Sequence, residues 1–334
     1  LNAYREFSIR FRTISEQRGS EMKFCGTPAT RRGLYLCTMR FRLLLLPLAL
    51  LLGCQPESDQ KSLVQVRDGM GRALTLPAHP RRVLALAPSM TEVLFAVADT
   101  ATIVARVPQD NYPAGVYRKP VVNNYPLDLE KLVLLKPDVV FTIEGITSVD
   151  DAQRLQKLGI PVYYQRYRRV EDVFKGIDEV GRMLGRETQA KYLTDSLRQA
   201  LKSLSASPVR SSGTPPKVLA ITWQDPIYCY GQNTLFTDEI RLAGGQNAIT
   251  ETFPQPYPAL TREYILKLNP DVLLGGSFGK LDSTFFKNYP ELKRIKAYQN
   301  HNVFPITGNL MERPGPRVVE SVRELQRLLA RSEK

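Results

Sequence analysis

From Leu63 onward, short β-branched runs alternate with stretches whose apolar residues recur at helical spacing. That alternation predicts strands followed by helices, and so parallel sheets. One unit is written twice. LEKLVLLKPDVVF begins at Leu129 and TREYILKLNPDVLL at Thr261, and Glu130, Leu135, Pro137, Asp138 and Val139 recur 133 positions later as Glu263, Leu268, Pro270, Asp271 and Val272. In each copy proline cannot continue the helix and pushes its predecessor out of the α region, so a helix ends and a buried strand begins. RVLALA from Arg82 and KVLAIT from Lys217 form a second pair of strands, and IPVYYQ and NVFPIT a third. Three pairs in the same order predict an α/β protein of two similar lobes.

The first lobe is expected over residues 63–169, with strands at 82–87, 102–107, 138–143 and 161–165. Residues 170–205 are helical. Val173, Ile177, Val180 and Leu184 mark one face; after Gly185 the pattern resumes through Ala190, Leu193, Leu197, Ala200 and Leu201. The second of these helices, about 27 Å long at 1.5 Å per residue, is long enough to join two lobes. Residues 206–216, rich in Pro, Ser and Gly, read as a linker. The second lobe, 217–334, closes with a helix through Val318, Val322, Leu325 and Leu329.

Upstream, MRFRLLLLPLALLLGC occupies residues 39–54. Its apolar run of about ten residues, roughly 15 Å as a helix, is half of what a bilayer core requires. A basic start, a short apolar core and a small residue before the cut make residues 39–53 a secretion signal. Residues 1–38 are then expected to be an extension upstream of a true start at Met39, and 54–62 a polar tether. Cys25 and Cys37 would leave with the leader, so Cys54 and Cys229 remain and no disulfide framework is expected. The formal charge of +13 shrinks as well: beyond Gly53, 37 Lys/Arg stand against 30 Asp/Glu, a net of +7. That charge is mild for the length, and without a basic run interleaved with aromatics it excludes a nucleic-acid partner.

Ligands of open parallel sheets sit beyond the carboxyl ends of the strands. The first lobe offers Pro88-Ser89-Met90, Gln109-Asp110, Glu144-Gly145 and Tyr167 there, and the second Trp223-Gln224, Ser277-Phe278 and GNLMERPGPR from Gly308. Tyr112, Tyr125, Tyr228, Tyr230 and Tyr257 lie in nearby loops. Such a cleft is aromatic, amide-rich and sparing in charge, which suits a large and mostly uncharged ligand. An enzyme reading competes: GGSFG, residues 275–279, has the G-x-S-x-G form of a nucleophile elbow. Its only downstream histidine, His301, precedes a strand and so belongs to the opposite sheet edge, far from the 3 Å or so a base requires. Glycines that let a ligand approach the backbone explain the segment more simply. No phosphate-binding glycine loop and no Cys/His zinc spacing is present.

VRDGMGRALTLPAHPRRVLALAPSMTEVLFAV, the DLEKLVLLKPDVVF phrase, GRMLGRETQA, LAGGQNAI and LTREYILKLNPDVLL together resemble the periplasmic substrate-binding proteins of iron-siderophore, haem and vitamin B12 ABC importers, over nearly all of residues 63–329. The resemblance implies two Rossmann-like lobes joined by a long helical backbone, a monomer without catalytic cofactor or resident metal, and a ligand held between the lobes. It implies that Glu130 and Glu263 dock into arginine pockets of a permease dimer with its ATPase subunits. Because Leu-Leu-Gly-Cys resembles a lipobox, it also implies that Cys54 is lipidated and anchors an exported protein to the cell membrane. PYPALTRE and NLMERPGPR are similar to the vitamin B12 binder, which implies cobalamin as the transported ligand, Tyr257 as an aromatic wall and Arg313 as a polar contact. Asn124, Ile143 and Asn309 depart from that binder, with Tyr125 and Trp223 in place to compensate. Arg166, Arg168, Arg169 and Arg313 fit an anionic siderophore, and a tyrosine ligand fits haem.

Overall fold

A computed structural model describes residues 62–205, 214–276, 281 and 283–332, all within the unit Asp59–Lys334. The expected signal, Cys54 and Ser277-Phe278 lie outside the described residues.

The first lobe opens with an antiparallel hairpin, β1 (Leu63–Arg67) and β2 (Ala73–Pro77). Then follow β3 (Val83–Ala85), α1 (Pro88–Val97), α2 (Leu129–Leu135), β4 (Val139–Ile143), α3 (Val149–Lys157) and β5 (Val162–Gln165). β3, β4 and β5 form a parallel sheet in that order, Val83 pairing with Val139 and Val140 with Val162. Alternate residues point to opposite faces of a strand, and both faces here are covered. Val83, Ala85, Val139 and Phe141 pack with α1, while Leu84, Val140, Val162 and Tyr164 pack with Leu132 of α2 and Leu155 of α3.

Two helices, α4 (Val170–Met183) and α5 (Glu187–Ser205), follow on either side of Gly185, whose φ of 64° ends the first. The second lobe has β6 (Lys217–Trp223), β7 (Tyr228–Cys229), α6 (Leu235–Leu242), β8 (Gln246–Asn247), α7 (Arg262–Leu268) and β9 (Val272–Gly275). It finishes with α8 (Ser283–Asn288), α9 (Lys296–Gln299), β10 (Val303–Pro305), α10 (Gly308–Met311) and α11 (Val318–Arg331). β9 lies between β6 and β10, parallel to both, as β4 lies between β3 and β5.

The repeated phrase has a common construction. Asp128 caps α2 by accepting from Lys131 N at 3.0 Å, and Thr261 caps α7 by accepting from Tyr264 N at 3.2 Å. Each helix stops on a left-handed residue, Lys136 at φ 45° and Asn269 at φ 44°, followed by a buried proline. The repeated aspartate then ties the phrase to the neighbouring strand. Asp138 accepts from the amides of Arg81 and Arg82 at 2.8 and 2.9 Å, and Asp271 from that of Lys217 at 2.9 Å.

Two expectations need correction. Residues 102–107 form no strand. Ile103 and Arg106 make one bridge each, to Val83 and Val121, because the segment's hydrogen bonds divide between β3 and residues 120–122. The sheets are not purely parallel, since only four residues separate β6 from β7, too few for a parallel crossover, so β7 returns antiparallel. Besides α5, α11 also joins the lobes. Val318 and Val319 of α11 sit in the first lobe's core, whereas Val322, Leu325 and Leu329 of the same helix sit in the second's.

Candidate ligand-binding cleft

At the carboxyl end of β4, Glu144 N donates to Gln165 O at 2.9 Å, which carries the ladder one residue beyond β5's partner strand. Gly145, at φ 88°, then turns the chain away, a conformation glycine adopts without strain. Glu144, Gln165, Tyr167 and Arg168 thereby share one wall of a cavity of about 560 Å³.

Tyr230, Phe236, Tyr257, Met311 and Glu312, all from the second lobe, line the same cavity. Three of them form an aromatic row. The Tyr230 and Phe236 rings lie 4.5 Å apart, and the Tyr230 and Tyr257 rings meet edge to face at 5.6 Å and 71°. Gly231 makes this possible: its amide donates to Pro256 O, and a Cβ there would stand 2.9 Å from that oxygen. Cys229 N donates to Pro258 O and closes the other side of the loop. Burial pushes the Tyr230 and Tyr257 phenols above their ordinary range, so both remain neutral hydroxyls at physiological pH.

The charges are paired. Glu144 accepts from Arg168 Nη2 at 2.6 Å and lies 3.2 Å from Arg166 Nε. Beside the cavity, a second cluster pins the lobes together. Arg317 donates from Nε and Nη2 to the Glu92 carboxylate at 2.8 and 2.5 Å, and stacks over Tyr112 at 4.4 Å. Arg313 donates to Asn111 Oδ1, Gln109 O and Asn309 Oδ1, and stands 3.6 Å from Glu92. Burial raises the Glu92 pKa even against both guanidiniums.

Of the residues expected to meet a ligand, Glu144, Tyr167, Tyr230 and Tyr257 line this cavity. Met90 does not, because the helical phase of α1 turns it into the core, where its sulfur accepts from Tyr167 Oη. Asp110 is buried and accepts from Val107 N and Thr91 Oγ1, its pKa pushed up to about 6 by burial. Tyr112, Asn309 and Arg313 belong to the seam between the lobes. Asn124 donates to Leu86 O, and its own Oδ1 is buried without a hydrogen-bond donor. Tyr125 is 91% exposed; Trp223 is half-exposed and donates to Asp225 O; the Gln224 carbonyl accepts from Tyr289 Oη. Met311 and Glu312 fall within the expected GNLMERPGPR segment, whereas Gln165 and Phe236 carry no strand-end or loop-aromatic signal in the sequence. Glu130 and Glu263 are exposed, each the second residue of its helix. Hydrogen bonds from its own amide and from Thr261 hold Glu263 below the usual carboxylate range.

Among the described residues no group of three His, Cys, Asp or Glu side chains is arranged to hold a metal ion, and no helix is long and apolar enough to cross a membrane.

Residues 83–310 match the family model described as periplasmic binding protein. The chain is 28% identical over 297 residues to the uncharacterized ABC transporter substrate-binding lipoprotein YvrC of Bacillus subtilis, covering 84% of this chain and 93% of that one. It is 23% identical over 257 residues to the vitamin B12-binding protein of Vibrio parahaemolyticus, covering 76% and 91%. Among solved structures, the periplasmic heme-binding protein BhuT, in complex with two hemes, superposes with a TM-score of 0.67 at 24% identity, covering 76% of this chain and 99% of that one. Two α/β lobes on a helical backbone, with a cavity between them and a family match across both sheets, lead to one conclusion: the chain belongs to the periplasmic binding protein family, whose members bind rather than catalyse.

Proposed function

We propose that this chain is the substrate-binding component of an ABC importer, capturing cobalamin or a related corrinoid between its lobes and handing it to a permease dimer with its ATPase subunits. The observation that carries the ligand assignment is the cavity itself: an aromatic row, the amide of Asn233, and a Glu144–Arg168 pair whose charges meet within the protein. A neutral macrocycle fringed with amides finds ring faces and hydrogen-bond partners there without having to neutralise a charged wall. Haem iron calls for an axial ligand such as imidazole or tyrosinate. No histidine lines the cavity, which leaves a tyrosine as the axial ligand a haem iron would need there. The name of the Vibrio parahaemolyticus relative supports the corrinoid reading.

Glu130 and Glu263 are the docking contacts, one on each lobe, steering the loaded protein onto a two-fold partner. Cys54 carries the lipid anchor, so the mature protein faces the periplasm or the cell exterior. The named lipoprotein relative supports this placement. Isothermal titration of the mature chain with cyanocobalamin, haemin and a ferric siderophore tests the ligand. Saturable heat at one site is expected from cyanocobalamin; heat from haemin or the siderophore alone reassigns it.

A further inference from the structure

The first lobe's wall of the cavity holds a carboxylate clamped between two guanidiniums, and the arrangement is built into the sheet. Glu144 stands at the carboxyl end of β4 and Arg166 and Arg168 just past the end of β5, in register through the Glu144 amide and the Gln165 carbonyl. The Glu144 side chain is 31% exposed, Arg166 40% and Arg168 41%. An ion pair this accessible contributes little to stability, so its main consequence is the charge shown to whatever enters. Tyr257, across the cleft, lines the same cavity as Arg168 and Glu144, which places the clamp on ligand space. With Glu312 on the opposite wall, the cavity and its clamp set two guanidiniums against two carboxylates.

We propose that Glu144 is a specificity-determining residue: by occupying Arg166 and Arg168 it withholds them from anionic ligand groups and tunes the cleft to a neutral macrocycle over a carboxylate-bearing one. The inference deepens the corrinoid reading and rests on it. A ligand carboxylate must either dislodge Glu144 from its two donors or settle beside it, and each course costs Coulomb energy in a site partly screened from water. With that charge removed, Arg168 and Arg166 present planar forks free to take a carboxylate in bidentate fashion.

The test titrates wild type and Glu144→Gln, as the full mature chain, with haemin, haemin dimethyl ester and cyanocobalamin. The ester keeps the ring and blocks the carboxylates, so ring stacking and charge are read separately. Glu144→Gln should tighten haemin about tenfold relative to the ester, with the gain shrinking at high salt and vanishing in Glu144→Gln/Arg166→Gln/Arg168→Gln. An equal change for haemin and ester, or no change, overturns the proposal. Should wild type ignore cyanocobalamin while Glu144→Gln still shows the haemin gain, the corrinoid assignment falls and the selectivity role stands. Cyanocobalamin binding with an unmoved haemin-to-ester ratio does the reverse.

Discussion

The two copies of the repeated phrase agree wherever the fold dictates and part company elsewhere. Cap, proline and strand-tying aspartate match in α2 and α7 because each has a backbone group to satisfy. On the outer face Leu134, 80% exposed, stands where the second copy has exposed Lys267, and only the glutamate stays the same. A carboxylate in a helix's first turn is favoured by the helix macrodipole, and the proposed docking role gives the pair a second reason to persist. Replacing both Glu130 and Glu263 with alanine should therefore abolish stimulation of the transporter ATPase while cyanocobalamin titrates as in wild type. Each single variant should retain part of the stimulation. Full stimulation by the double variant would reduce the pair to ordinary surface charge.

A second pair shows the lobes diverging inside. Glu92 is the fifth residue of α1 and Glu239 the fifth of α6, and both reach toward the start of α11, one to Arg317 and the other to Ser321, a single turn apart. The first is an ion pair. The second is a carboxyl whose pKa burial pushes up to about 8. Arg317→Ala would take both of its hydrogen bonds from the Glu92 carboxylate and leave Arg313 at 3.6 Å; it should cost up to about 3 kcal/mol, less at acid pH, where Glu92 can take a proton. Glu239 acts with the same sign as Glu92, whose pKa burial also raises. Its folded pKa lies above the unfolded value of about 4.3, so its contribution is complete below that value, is lost as pH rises toward 8 and changes no further above. The slope is at most about 1.4 kcal/mol per pH unit. Glu239→Gln should flatten that part of the stability profile in urea melts; an unchanged slope would show that the carboxyl ionises freely where it sits.

These internal contacts explain what the sequence could and could not disclose. The repeat was legible because Pro137, Asp138 and their counterparts act on backbone only a few residues away or at the start of the adjoining strand. Glu144 and Tyr257 were reachable from strand ends and loop aromatics. Met90 satisfied the same strand-end rule, yet one residue of helical phase decides between cleft and core. The clasp of Glu92 and Arg317 joins positions 225 apart, and periodicity marks the apolar face of α11 without saying that its first turn belongs to the other lobe. Residues 102–107 had the composition of a strand but lacked a continuous partner.

The smallest effect expected separates the two copies at a single backbone position. Lys136 and Asn269 both occupy the left-handed region, where a residue with a Cβ is strained by about 1 kcal/mol or more and asparagine suffers least. Lys136 is exposed, so Lys136→Gly should relieve strain and raise stability by up to about 1 kcal/mol. Asn269 has a second duty: its Oδ1 accepts from Lys296 N at 2.9 Å, tying α7 to α9. Asn269→Gly relieves less strain and forfeits that bond, a loss of about 1 kcal/mol, so its net effect should be destabilising. The same substitution at equivalent sites would then carry opposite signs in chemical denaturation. Equal signs would mean that backbone conformation alone governs both turns, and that the divergence of the copies at this position has no energetic content.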